Sequence, residues 1–156
     1  GVDTETRPSF SKGRGFQVSL LQVSTRDTCY LFRLHLTGIT PAIIRFLEDK
    51  TVPKVGLSWH DDLLQLHKRA EFKPGYFIEL QDEAKKFGLQ DMSLQKLYAN
   101  LFHQKISKAQ RLSNWEASEL KDSQMAYAAT DAWCCINLYE ELLRLKQEGD
   151  YELDEL

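Results

Sequence analysis

Phe16-Gln-Val-Ser-Leu-Leu-Gln-Val-Ser24 and Thr28-Cys-Tyr-Leu-Phe-Arg-Leu-His-Leu36 stand on either side of Thr25-Arg-Asp27. The first run is rich in apolar and β-branched residues and the second alternates. Ser-Thr-Arg-Asp between them suits a tight turn, so the pair reads as a β-hairpin. Upstream, Val2 to Glu5 reads as the end of another strand, joined to the hairpin by a loop from Pro8 to Gly15. Downstream the pattern changes. Thr40-Pro41 is a capped helix start, and that helix runs to about Asp49 with Ile43, Ile44, Phe46 and Leu47 inward. Pro53 to Ser58 reads as a short buried strand, Asp61 to Lys68 as a helix, and Tyr76 to Leu80 as extended. Gln81 to Phe87 is helical up to the Gly88 stop. Ser93 caps a helix reaching about His103, and Lys105 to Leu120 has no regular pattern. In the last helix Ala128, Ala132, Cys135, Ile136, Tyr139, Leu142 and Leu143 recur at spacings of three and four. Asp122 is its expected cap and Gly149 its end. A strand meander followed by alternating helices and strands predicts an α/β fold, a mixed sheet flanked by helices.

The 156 residues suffice for one domain with a proper core, and an apolar fraction of 42% with 28% charged residues is that of a soluble globular protein. No run approaches the ~20 apolar residues of a membrane span. The opening Gly-Val-Asp-Thr-Glu has no basic leader region. The expectation is a protein that is not secreted and has no membrane partner: cytoplasmic if bacterial, with the nucleus open if eukaryotic. Cys29, Cys134 and Cys135 lack metal-type spacing and read as reduced thiols. The net charge of −3 does not advertise nucleic-acid binding, but residues 148–156 hold five acids and no base. That acidic tail reads as a solvated end following a domain at 1–147. Without it the chain is close to neutral, so local charge decides what binds. Oligomeric state is not legible.

Three groups of residues carry chemistry. Asp3 and Glu5, two apart on a strand, project from one face roughly 7 Å apart along the chain. Carboxylates there are costly unless neutralised, and a divalent cation does this. Alone, Asp-x-Glu is also common on exposed strands. Tyr127 and Asp131, four apart on a helix, face one site. A phenol with a pKa near 10 is a poor base at neutral pH but can aim a water by hydrogen bonding. Asp61 and Asp62 follow the Pro53–Ser58 strand, where a helix starts, so either would sit at the mouth of the sheet. Acids also suit a helix N-terminus for dipole reasons alone.

Together these segments resemble the DEDD exonucleases, specifically the DEDDy branch, with the Werner-syndrome-type exonuclease domain and the ribonuclease D catalytic domain nearest in pattern. Gly1-Val-Asp3-Thr-Glu5-Thr-Arg-Pro8 resembles the first motif, Val55-Gly56 through Leu66 the second, and Tyr127-Ala-Ala-Thr-Asp131-Ala132 the third. The histidine branch would place His five residues before the last Asp, where this chain has Ala126. The family's Gly-x-Asn-x-x-x-Asp spacing selects Asp62; a one-residue gap would select Asp61. Ser58 stands where that form has Asn. The connecting landmarks Leu20-Leu-Gln-Val-Ser-Thr25, Phe77-Ile-Glu-Leu-Gln81 and Ser113-Asn-Trp115 also agree.

The resemblance implies a ribonuclease-H-like fold, a five-stranded mixed sheet with helices on both faces. It implies a 3′→5′ exonuclease that uses two divalent cations, Mg²⁺ or Mn²⁺, and releases nucleoside 5′-monophosphates from nucleic acid with a free 3′ end. DNA is favoured over RNA without being decided. Asp3 would bridge the ions, Glu5 and Asp131 would complete one, Asp62 would reach the other, and Tyr127 would orient the attacking water. Lys105, Lys108 and Arg111, with no acid among them, are candidates for phosphate contacts. Phe10 and Trp115 are candidates for base stacking. Trp59 reads as core, and His60 as a surface residue or a support to the ligands rather than a metal ligand. The alternative is a DEDD-fold nucleic-acid-binding module that has lost catalysis.

Overall fold

The computed structural model describes residues 1–90, 92–149 and 151. Most of the expected acidic tail lies outside them. Among the described residues five strands and six helices follow in the order β1 (Val2–Glu5), β2 (Leu20–Ser24), β3 (Cys29–Arg33), α1 (Leu34–Thr37), α2 (Pro41–Glu48), β4 (Lys54–Gly56), α3 (Trp59–His67), β5 (Phe77–Glu79), α4 (Leu80–Lys85), α5 (Leu94–Phe102) and α6 (Asp122–Glu148). The strands form two hydrogen-bonded ladders, of three and two strands, rather than the one five-stranded sheet expected. β1, β2 and β3 form an antiparallel meander, with Asp3 opposite Gln22 and Gln22 opposite Leu31. β4 and β5 pair in parallel across α3, the arrangement a helical crossover permits. β1 also lies beside β4. Both β4 and β5 are three residues long, so their ladder is short.

Alternation along β2 divides the core. Leu20 packs with Trp115, Tyr127 and Ala128 on one face. Leu21 joins Val2, Leu34, Ile43, Leu47, Trp59 and Leu66 on the other, under α2 and α3. A further cluster lies between β4, α4, α5 and α6, built on Val55, Leu80, Leu97, Cys135 and Leu138. Helices therefore cover both faces. Small residues let α6 lie close to the meander: the buried Ala128 and Ala132 face it, and a Cβ at Gly1 would fall 1.9 Å from the Ala132 carbonyl oxygen. The fully buried Gln22 side chain donates to the Ala128 carbonyl at 3.3 Å, fixing β2 to α6.

Several expected boundaries shift, each for a local reason. β2 starts at Leu20 rather than Phe16, because the chain just before it is held by the end of α3: Gln17 Nε2 donates to the Lys68 carbonyl and Arg69 Nε to that of Val18. β3 ends at Arg33, since Leu34–Thr37 coil into one helical turn. In α2, capped by Thr40 as expected, only Ile43 and Leu47 are buried. The cap of α6 is Lys121, not Asp122: the Lys121 N–H donates to Gln124 Oε1 at 2.9 Å, and Asp122 opens the first turn. Leu143 is exposed, while Leu138 and Leu145 are buried in its place. Segment 105–120 is irregular as expected, and no described helix is long and apolar enough to cross a membrane.

Candidate active site

β1 presents Asp3 and Glu5 on the face that α6 covers. Asp131, on α6, reaches them, and one carboxylate oxygen from each of the three lies within 4.8 Å of the others. Asp131 is 4% exposed, and its Oδ1 is buried with no hydrogen-bond partner. Tyr127, one turn earlier and buried, lies close enough to Asp131 for its hydroxyl to favour the ionised carboxylate. The Thr4 N–H donates to Asp3 Oδ1 at 2.8 Å. Gln22 Nε2 lies 3.5 Å from Glu5 Oε1.

Asp62 enters from the first turn of α3, outside the trio. Thr4 Oγ1 donates to its Oδ1 at 3.0 Å. Asp61 is exposed, and so is His60. α3 is aimed by Glu79, at the end of β5. One of its carboxylate oxygens accepts from Ser58 N at 2.7 Å and the other from Trp59 N at 2.6 Å. Ser58 is held at φ 60°, a left-handed conformation that a non-glycine residue adopts at a cost. Gly56 is forced by packing, since a Cβ there would fall 2.2 Å from Trp59 Nε1.

The electrostatics are uniformly unfavourable to negative charge. Burial, then the Asp131 charge, pushes Asp3 up to about 7 against the Thr4 N–H bond. Burial, with the charges of Asp3 and Asp131 behind it, raises Glu5 to about 9 despite the Gln22 contact. Asp62 is raised to about 8 by burial and then by Asp3, with the Thr4 bond opposing. Burial lifts Asp131 to about 7, partly offset by Tyr127. Burial and then the neighbouring acids raise Tyr127 as well, with Arg111 opposing. None of the ion pairs found among the described residues involves the four carboxylates. A bare cluster of this kind favours protonation or a bound cation. The all-oxygen donors and the orphaned Asp131 oxygen suit a hard divalent ion such as Mg²⁺ or Mn²⁺.

The candidate substrate contacts divide. Lys105 lines a cleft of about 440 Å³ that also reaches Tyr127. Lys108 is not among the residues lining that cleft, and Arg111 is near enough for its charge to act on Tyr127. Phe10 is 86% exposed on the loop after β1. Trp115 is corrected: it is wholly buried, its ring centroid 6.0 Å from that of Tyr127, so it supports the site from beneath and has no face free for a base. Three contributors escaped the sequence reading. Gln22 was detectable as an amide in an apolar strand, and Glu79 as an acid between Ile78 and Leu80. Thr4, lodged between the two motif acids, gave no separate signal.

The α/β fold, of the ribonuclease-H-like class, thus gathers acids from a sheet strand and two helices beside a buried tyrosine. The chain belongs to the 3′-5′ exonuclease family, whose model matches residues 1–146. It is 30% identical over 148 residues to the mouse bifunctional 3′-5′ exonuclease/ATP-dependent helicase WRN, covering 91% of this chain and 11% of that protein. It is 31% identical to ribonuclease D of Gluconacetobacter diazotrophicus, covering 95% of this chain and 38% of that one. The Nibbler EXO domain of Aedes aegypti superposes with a TM-score of 0.82 over 97% of this chain and 80% of that chain, at 19% identity, which speaks for the fold. The chain thus spans less than half the length of either of these two relatives.

Proposed function

We propose that this domain hydrolyses the terminal phosphodiester of a nucleic acid with a free 3′ end and releases a nucleoside 5′-monophosphate. The observation that carries this reading is the trio Asp3, Glu5 and Asp131, converging within 4.8 Å with no cationic side chain among the described residues paired to it. Asp3, Glu5 and Asp131 would hold one divalent ion, and Asp62 with Asp3 a second. Bound there, such ions supply charge neutralisation on the phosphodiester and acidify water. Thr4 holds Asp62 and Asp3 in place through its hydroxyl and its N–H. Tyr127, whose hydroxyl stays protonated, orients the attacking water by hydrogen bonding and does not act as the base. Water adds at phosphorus, the P–O3′ bond breaks, and the shortened strand leaves with a 3′-hydroxyl.

The test is a 5′-labelled single strand and a 3′-recessed duplex, each as DNA and as RNA, incubated with Mg²⁺, Mn²⁺ or chelator. A ladder that shortens from the 3′ end and vanishes in chelator is the expected result. Comparing the DNA and RNA ladders decides the substrate class. Retention of the oligonucleotides without a ladder in either metal would instead establish a silent binding module. Asp62→Asn is expected to abolish the ladder and Asp61→Asn to leave it.

A further inference from the structure

Six residues beyond Tyr127 on the same helix, Trp133 stands 40% exposed. Ser123, Ala126, Tyr127, Thr130, Trp133 and Cys134 form one stripe of α6, and this stripe makes one wall of the 440 Å³ cleft. The opposite wall is the irregular stretch 104–110, where Ile106 and Ala109 provide apolar surface and Lys105 a positive charge. Trp133 also borders a smaller concavity with Arg26 and Thr28, so it stands as a ridge between two hollows. Its indole N–H donates to the Arg26 carbonyl at 3.3 Å, and Arg26 is itself ion-paired to Glu140. The ring is thereby oriented before anything binds.

We propose that this cleft takes an unpaired nucleotide of the substrate strand, its base stacked on Trp133 and its phosphate turned toward Lys105. This rests on the hydrolytic reading above, because Tyr127 belongs both to the cleft and to the carboxylate site. Three observations favour a single nucleic-acid strand as occupant. The cleft shares Tyr127 with the proposed reacting centre. It combines apolar walls with a cation, the pairing that single strands require. Along the helix, six residues span roughly 9 Å, a distance of a few stacked nucleotides.

The protein offers its own probe. Of its three tryptophans, Trp59 and Trp115 are buried at 2% and 0% exposure, so a ligand in the cleft meets the indole of Trp133 alone. In chelator, where the strand stays intact, short oligothymidylate and oligouridylate are titrated into the whole chain while tryptophan emission is read. Quenching in the wild type that is absent from Trp133→Phe places the base at this ring. With a labelled oligonucleotide, Trp133→Ala is expected to weaken binding about tenfold and Trp133→Phe to restore most of it. In the ladder assay with Mn²⁺, Trp133→Ala should raise KM and spare kcat. Equal affinity of wild type and Trp133→Ala, or quenching undiminished in Trp133→Phe, would overturn the proposal. A wild type that degrades normally while Trp133 proves irrelevant sinks this inference alone. A wild type that quenches but never cleaves supports it and sinks the hydrolytic reading.

Discussion

At Asp131 the demands of folding and of chemistry conflict. Its carboxylate is almost wholly buried, and Oδ1 has no partner. Asp3, Glu5, Asp62 and Asp131 all have folded pKa values raised above those of an unfolded chain, to between about 7 and about 9. The native state therefore binds more protons than the unfolded state from about pH 4 upward, and linkage makes metal-free stability fall as pH rises through that window. Thermal unfolding in chelator should show a Tm that declines from pH 5 to pH 9. Added Mn²⁺ takes the place of the protons, so its Tm gain should grow over the same range. A metal effect independent of pH would contradict the shared site. Asp131→Asn removes one of the crowded charges. In chelator at pH 8 it should raise Tm by about 3 °C, the scale of roughly 1 kcal/mol in a domain of this size, and lower hydrolysis by about 10³-fold or more. Tyr127→Phe should leave the Mn²⁺-induced Tm gain intact and cut kcat by about 10²-fold. Loss of the Tm gain in Tyr127→Phe would place the phenol among the metal-holding groups instead.

At the scale of elements, spacing rules made the first and third motifs legible, because both depend on local geometry. The two-residue period of β1 brings Asp3 and Glu5 to one face, and the four-residue step of α6 stacks Tyr127 on Asp131. The choice between Asp61 and Asp62 was of another kind. It depends on where α3 begins, and that is set by Glu79, a residue of β5 lying far along the chain. Patterning within the Val55–Leu66 stretch holds no trace of this partner, so residue types alone left both aspartates open. The buried Lys54 is similar: its Nζ bonds the Asp49 and Val52 carbonyls and lies 5.2 Å from the ring centres of Phe46 and Phe77. Glu79→Ala takes the cap from α3 and the restraint from Ser58. A stability loss of about 1–2 kcal/mol is expected, together with lost hydrolysis, because Asp62 no longer meets Thr4. Glu79→Gln retains one of the two accepting oxygens and should recover part of the stability and part of the activity. Equal kinetics in Glu79→Ala and the wild type would show that α3 is positioned by packing alone.

On the scale of the whole molecule, the meander, the two covering layers and the final helix could be anticipated from periodicity, whereas the path of 105–120 could not. That stretch has no repeating pattern, and its course is set by distant groups. The Arg33 guanidinium donates to the carbonyls of Trp115, Ala117 and Ser118. Ser19 Oγ donates to Glu116 at 2.9 Å, and Gln124 Nε2 to Ser113 Oγ and the Asn114 carbonyl. Trp115 then fills the space beneath Leu20 and Tyr127. The later half of the segment is thus fastened to β2, β3 and α6, and through it the wall that carries Lys105 is held facing Tyr127. Arg33→Ala removes three of these ties without opening the core. Trypsin should then cut after Lys105, Lys108 or Arg111 sooner than in the wild type. KM for oligonucleotides should rise several-fold, while the Mn²⁺-induced Tm gain, which the proposed site assigns to the carboxylates, stays put. Trp115→Ala, by contrast, empties the support itself and should cost about 3–5 kcal/mol, a large part of the stability of a domain this size. If Arg33→Ala leaves both proteolysis and KM unchanged, the segment is anchored by Trp115 alone, and the guanidinium bonds only decorate a wall already fixed by packing.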